Sequence, residues 1–418
     1  MTLLNTGLSP NSYSEKAKAG KPSLLLLTQV LPYPPDAGPK IKTYNLIRYL
    51  ASSFDIVLVS FIRSDNTPSH VDELLKYCCE VYTVPMQRTR LRDVAALLLS
   101  LLSGQPFLMV RDRSRPMNKL LQGLVATNKF VAIHADQLNM AQFALSLPVS
   151  KRVLDEHNAV WAIADRLRRG QKNPLKRLLL KLEAHKLRRY EQKTCRRFDV
   201  VLAVSREDAL SLGVPCQVIP IGIDAEGVEP LKISSASCNL VSLGTMFYPP
   251  NIEAALWFGR EVFPLIRRKC SKATYTIIGA RPPAEIYQMA AQQPGIRVVG
   301  YVEDLRPELE RCSGLIVPLL SGGGMRVKIL DALALGLPIV STTVGAEGVQ
   351  LEHDKNALLA DTPAAFAAAC LRLLDGDLAQ RLSEAGRKLA LEEYDFRVAY
   401  KPLDELYSEL IGKQDKVL

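Results

Sequence analysis

The stretch Ser321–Val344, SGGGMRVKILDALALGLPIVSTTV, decides the fold. The apolar run Gly314–Leu320 before it reads as a buried strand. Gly322, Gly323 and Gly324 follow, then Arg326 and Lys328, and Val327–Leu335 carries apolar residues at helical spacing. Gly336 stops that helix, and Pro338 opens a strand over Ile339–Thr343. Strand, glycine-rich loop, helix and strand make one βαβ unit of a parallel sheet. A glycine-rich loop feeding a helix N-terminus aims backbone N–H groups outward and admits an anion. Arg326 and Lys328 in the first turn oppose the helix dipole, so their placement asks for an external anion, and a diphosphate supplies one. Asp331 stands about one turn beyond Lys328, in reach of sugar hydroxyls. The same residues also read as a glycine-rich turn with solvated cations. The cation pair and the βαβ setting favour the anion site.

The chain has 418 residues, enough for two α/β domains. Hydrophobic residues make up 48% and charged residues 23%, a globular balance that excludes a low-complexity chain. No apolar run reaches the ~18 residues a spanning helix requires. The longest helical candidate, Val94–Leu102, reads as a core or interfacial helix. The N-terminus lacks the basic and apolar regions of a secretory signal, so a cytoplasmic location is expected, with reduced cysteines. Neither the cysteines nor the histidines show metal-ligand spacing. The net charge is +10, and Asp165–Arg197 accounts for about all of it, with roughly a dozen Lys and Arg against three acids.

Residues 1–22 are polar and read as a disordered tail. Leu24–Val30 reads as a buried parallel strand, followed by LPYPPDAGPKIKTYNLIRYL, in which Pro39 suits the first turn of a helix. Further strands are expected at Asp55–Ile62, Glu80–Pro85, Val131–Asp136, Arg152–Glu156 and Val200–Ser205, an open Rossmann-like sheet. Two strand ends are polar: His134-Ala-Asp136 and Asp155-Glu-His157-Asn158. An imidazole there can bond a sugar hydroxyl or a phosphate, or serve the structure. The basic segment, broken near Gly170 and Pro174, carries Leu175, Leu178, Leu179, Leu182 and Leu187 on one face. It reads as a surface helix of the domain or as an element lying on an anionic membrane. Without interleaved aromatics it does not read as a nucleic-acid site.

Residues 216–237 suit an interdomain linker between a first domain, 23–215, and a second, 238–393. The second opens with a strand, Asn239–Gly244, and a helix, Ile252–Phe263, capped by Asn251. Strands recur at Tyr275–Gly279, Ile296–Val302 and Ala357–Ala360. The loop Gly345-Ala-Glu347-Gly348 falls at a strand's carboxyl end. Asp375-Gly-Asp377 lies between two helices and reads as a turn. A terminal segment, 394–418, carries a last helix near Val398–Ile411.

The glycine-loop motif, the YPP loop and GYVEDLRP together resemble GT-B glycosyltransferases of family 4 (group 1), over about residues 24–411. The subgroup whose loop reads GGGTRLKILEA is the most similar. The resemblance implies two Rossmann-like domains facing across a cleft, with the last helix crossing back to the first domain. It implies retaining transfer from a nucleotide-diphosphate sugar to a glycan or lipid-linked acceptor, without metal or other cofactor. Arg326, Lys328 and His157 are then the catalytic candidates. Gly244, Val302, Glu303, Asp304, Gly322, Gly323, Gly324, Asp331 and Glu347 would meet the donor, and Gly38, Lys40, Lys42, Thr43, Tyr44 and Asp136 the acceptor. Gly323 and Asp331 stand where the wider family has acidic residue and Glu, and no Arg–Lys pair follows the strand ending at Gly244, so Arg326 and Lys328 take over the diphosphate. A nucleotide-sugar epimerase and a degenerate donor-binding scaffold remain as rival readings.

Overall fold

The computed structural model describes residues 20–63, 66–86, 88–171, 173–232, 237–374 and 376–412. Residues 1–19 of the tail expected over residues 1–22, part of the linker and Asp375 lie outside the described residues. The described residues form two compact units, one running up to Pro220 and resuming at Tyr400, the other Ile221–Ala399.

The first unit is built on seven parallel strands: β1 (Ser23–Thr28), β2 (Asp55–Ile62), β3 (Glu80–Pro85), β4 (Ala132–Asp136), β5 (Arg152–Glu156), β6 (Val200–Ala203) and β7 (Gln217–Val218). Their order is β3-β2-β1-β4-β5-β6-β7. Leu24 to Leu27 are fully buried because helices cover both faces of the sheet, which is why this strand reads as a continuous apolar run. The strand order reverses between β1 and β4, whose last residues, Thr28 and Asp136, stand side by side. In open α/β sheets the crevice opens at such a point, beyond the carboxyl ends of the strands. The final helix, Pro402–Gly412, belongs to this unit, and Leu403, Leu406, Tyr407 and Leu410 bury its inner face. It starts later than expected because Pro402 cannot continue the short helix Phe396–Ala399.

The second unit carries β8 (Asn239–Leu243), β9 (Thr274–Ile278), β10 (Ile296–Gly300), β11 (Gly314–Val317), β12 (Ile339–Ser341) and β13 (Leu358–Leu359), in the order β10-β9-β8-β11-β12-β13. All neighbours are parallel, and the reversal falls between β8 and β11. Phe258, Phe263, Tyr275 and Phe366 are fully buried and form the aromatic centre of its core.

Two expectations are corrected. Asn251 is not a helix cap: the helix starts at Pro249, with Tyr248 at the cap position, because the two prolines preset the first turn. That helix passes through a π turn, Phe258–Val262, before Phe263–Lys269. Pro264 has no N–H for the carbonyl one turn back, and the wider turn absorbs the lost bond. Of the two readings of Val94–Leu102, core or interfacial, the core one does not hold: in the helix Arg90–Ser103 only Ala96 and Ser100 are buried. Its leucines point to several sides, and a helix offers only one stripe to a neighbour. None of the eight cysteines forms a disulfide.

Candidate functional site

In the second unit the loop after β11 and the helix Val327–Ala334 behave as a built turn. Gly322 and Gly324 hold φ of +114° and +80°, which side chains with a Cβ rarely adopt. Gly323 does not need that freedom. Arg326 stands at the helix cap position, buried, and donates through Nη1 to the Gly323 carbonyl at 2.6 Å, folding the loop back on itself. Lys328 reaches across the strand reversal. Its Nζ donates to the Leu243 carbonyl at the end of β8 (2.7 Å) and to Asn251 Oδ1 (3.2 Å). Burial, together with the Arg326 guanidinium, pulls the Lys328 ammonium down to about 8. Two cations are thus held at the switch point, where the ends of β8 and β11 open a crevice.

Gly244 follows β8, and its backbone approaches the Asn251 side chain so closely that a Cβ would lie 2.7 Å from it. Ser321 Oγ donates to Glu253 Oε2 at 2.9 Å, tying the glycine loop to the helix after β8. Sequence reading missed Glu253 and the tethering role of Asn251. Their partners are 68 and 77 residues away, so no local pattern points to them. Asp331 is open to solvent. Glu303 and Asp304 are exposed beyond β10, and Asp304 accepts from the Arg306 N–H at 3.0 Å. Val302 beside them is half-buried. Glu347 lies half-buried in the turn after β12, where Gly345 N–H donates to Thr342 Oγ1. Gly244, the 302–304 turn, the glycine loop and Glu347 therefore all occupy one edge of this sheet.

In the first unit, the strand ends and the first helix, Gly38–Leu50, build a buried polar cluster. Lys42 forms an ion pair with Asp155, both fully buried. His134 Nε2 lies 3.5 Å from Asp155, and His157 Nε2 lies 2.9 Å from Asp136. Burial pushes the Asp155 carboxyl up, but Lys42 and the two imidazoles outweigh it and hold the group below the usual carboxylate range. Thr43 Oγ1 donates to Asp136 at 2.9 Å. Tyr407 OH, on the final helix, meets His134 Nδ1 at 2.6 Å, and the hydroxyl of Tyr400, just before that helix, donates to the Lys42 carbonyl at 3.2 Å. Lys42 and Thr43 thus turn inward rather than toward an acceptor. Removing one partner of a buried ion pair costs about 3–5 kcal/mol, which makes Lys42 a structural cation. Gly38, Lys40 and Tyr44 keep partial exposure, with Lys40 paired to Asp36. Asp136 is buried and His157 is only 4% exposed. Asp136, Asp155 and His157 bring possible ligand atoms within 4.8 Å of one another. The Lys42 ammonium already compensates Asp155 there, which leaves less charge for a metal ion. Glu156, the next residue, is also buried, and burial with neighbouring Glu191 and Asp155 pushes its carboxyl well up.

Residues 237–376, within the second unit, match the family described as Glycosyl transferases group 1. Among curated relatives, an uncharacterised 44.6 kDa protein in the cps region of Klebsiella pneumoniae is 22% identical over 361 residues, covering 82% of this chain and 89% of the relative. The amylovoran biosynthesis glycosyltransferase AmsK of Erwinia amylovora is 24% identical over 236 residues, covering 51% of this chain and 56% of its own. Among solved structures, HepE of Anabaena in complex with UDP superposes with a TM-score of 0.63 at 14% identity, over 93% of this chain and all (100%) of that one. The fold is GT-B: two Rossmann-like parallel sheets, with the last helix returned to the first unit.

Proposed function

We propose that this chain is a retaining glycosyltransferase that moves a sugar from a nucleotide-diphosphate donor to a glycan or lipid-linked acceptor in polysaccharide biosynthesis. One observation carries the reading: Arg326 and Lys328 are fixed at the strand reversal of a group 1 glycosyltransferase domain. A departing nucleoside diphosphate gains negative charge as the glycosidic bond breaks. Cations already held in place stabilise that charge without reorganising at the moment of reaction. Lys328 is preorganised by the Leu243 carbonyl and Asn251, and Arg326 by the Gly323 carbonyl. The helix N-terminus adds backbone N–H groups. These groups supply the leaving-group stabilisation themselves, which supports a reaction without metal. Relatives from a cps region and from amylovoran biosynthesis support the polysaccharide setting, and the UDP complex of HepE supports a nucleotide donor. The basic segment 166–197 supports an acceptor held at an anionic membrane face on the cytoplasmic side.

Thermal unfolding with UDP, GDP, ADP and TDP, and with their sugars, tests the reading. One nucleotide is expected to stabilise the parent chain and neither Arg326→Ala nor Lys328→Ala. Each substitution is expected to lower transfer by about 10²–10³-fold. Stabilisation that survives both substitutions places the diphosphate elsewhere. Binding without transfer to any acceptor replaces the enzyme with a donor-binding scaffold.

A further inference from the structure

The basic segment folds as a helical hairpin, Val160–Gly170 and Pro174–Cys195, closed by Ala164, Ala184 and Leu187 packed with Val160 and Trp161. Glu191 accepts from the Val160 and Trp161 N–H groups, and Arg188 lies over the Trp161 ring, so the hairpin is a fixed element. Its outer end carries Leu167, Leu175, Leu178, Leu179 and Leu182, all 50% exposed or more. Around them Arg169, Lys176, Arg177 and Lys181 are exposed.

The helix Arg90–Ser103 docks on this hairpin. Lys186 Nζ donates to the Ser100 carbonyl (3.1 Å) and hydroxyl (3.3 Å). The Phe107 N–H, just past the helix, donates to Glu183 at 2.6 Å. Ser100 is one of the two buried residues of the helix, so the contact is made through its narrow polar stripe. The rest stays uncovered: Leu91, Val94, Leu97, Leu98, Leu99, Leu101 and Leu102 are exposed, Leu102 by 87%. Leu179 and Leu182 lie within two helical turns of Lys186, and Leu97 to Leu102 within one turn of Ser100. The two sets of leucines therefore adjoin. Scattered exposed leucines are normal, but a contiguous set rimmed by cations marks an interaction surface.

We infer that the leucine helix Arg90–Ser103 and the hairpin tip form one docking face for an anionic lipid bilayer, with the leucine helix entering the interface and the hairpin cations holding the headgroups. Charge complementarity selects this occupant. The hairpin segment carries roughly a dozen cations against three acids, so two copies of the face repel each other. A fluid anionic surface satisfies cations and aliphatic side chains at once. Among the described residues, no helix is long and apolar enough to cross a membrane, which fits an element lying in the interface. The inference deepens the acceptor side of the proposed function, and it rests on the first unit alone.

Flotation of the full chain with vesicles tests it. The parent chain is expected to float with vesicles of about 30% phosphatidylglycerol and not with phosphatidylcholine alone, and to release at high salt. Leu98→Glu with Leu102→Glu, and separately Lys176→Glu with Lys181→Glu, are each expected to cut the bound fraction at least tenfold. All four side chains are exposed, so both variants are expected to keep the parent circular dichroism and nucleotide-induced stabilisation. A parent chain that stays unbound overturns the inference. So does a leucine variant that floats as well as the parent, or a parent dimer that the leucine variant dissociates while no vesicle is bound. Flotation retained with no nucleotide response counts against the transferase reading and leaves the docking face standing.

Discussion

Lys328 carries the most specific chemistry at the residue scale. Its ammonium is pulled down to about 8 by burial and by Arg326, so the free chain begins to lose this charge at mildly alkaline pH. On the proposed function, a diphosphate bound at Lys328 would favour the charged form and raise that value. Binding therefore takes up a proton once the pH exceeds about 8, and affinity falls as pH rises. Titration calorimetry with the stabilising nucleotide between pH 7 and 10 is expected to show about a tenfold loss per unit above pH 8, absent in Lys328→Met. The placement of Arg326 and Lys328 at the start of a helix was legible in the sequence, where cations in a first turn oppose the helix dipole. Lys42 was not legible in the same way. Its spacing suits a loop that meets a ligand, yet its partner, Asp155, lies 113 residues away. Whether a lysine faces solvent or a buried carboxylate is decided by packing.

At the scale of elements, the glycine loop is a turn with two required left-handed positions. Gly322→Ala places a Cβ 3.1 Å from Arg326 Nη2 and forces an unfavourable φ. It is expected to cost about 1–2 kcal/mol in urea unfolding and to weaken nucleotide-induced stabilisation. Gly323→Ala, with ordinary φ, is expected to cost less, and equal losses would show that the loop is not held by backbone conformation. The triplet of glycines was visible in the sequence, but which of the three are required was not, because φ follows from how β11 delivers the chain to the helix. Elsewhere, proline positions explain the shifted boundaries. Pro249 moved one helix start, Pro264 produced a π turn, and Pro402 delayed the last helix.

On the scale of the whole molecule, the last helix completes a unit that begins almost 400 residues earlier. Tyr407 reaches His134, Tyr400 reaches Lys42, and Tyr49 donates to Asp404. Leu403, Leu406 and Leu410 are buried with them, each worth about 1.5–3 kcal/mol. A chain ending at Ala399 is expected to lose hydrogen-exchange protection across residues 20–220 while residues 221–399 keep theirs. Protection retained in both units would show that the helix is an accessory.

Periodicity and punctuation in the sequence determined the two parallel-sheet units, the strand-loop-helix motif and the break in the basic segment at Gly170 and Pro174. These depend on neighbours a few residues apart, where strand runs, glycine stops and proline starts act directly. Tertiary structure alone decided which cations face inward and which loops share the edge at the β8–β11 reversal. It also decided that the leucines of Arg90–Ser103 stay uncovered beside the basic hairpin. Those outcomes depend on contacts between residues tens to hundreds of positions apart. An apolar helix carries the same sequence signal whether a partner covers it or not.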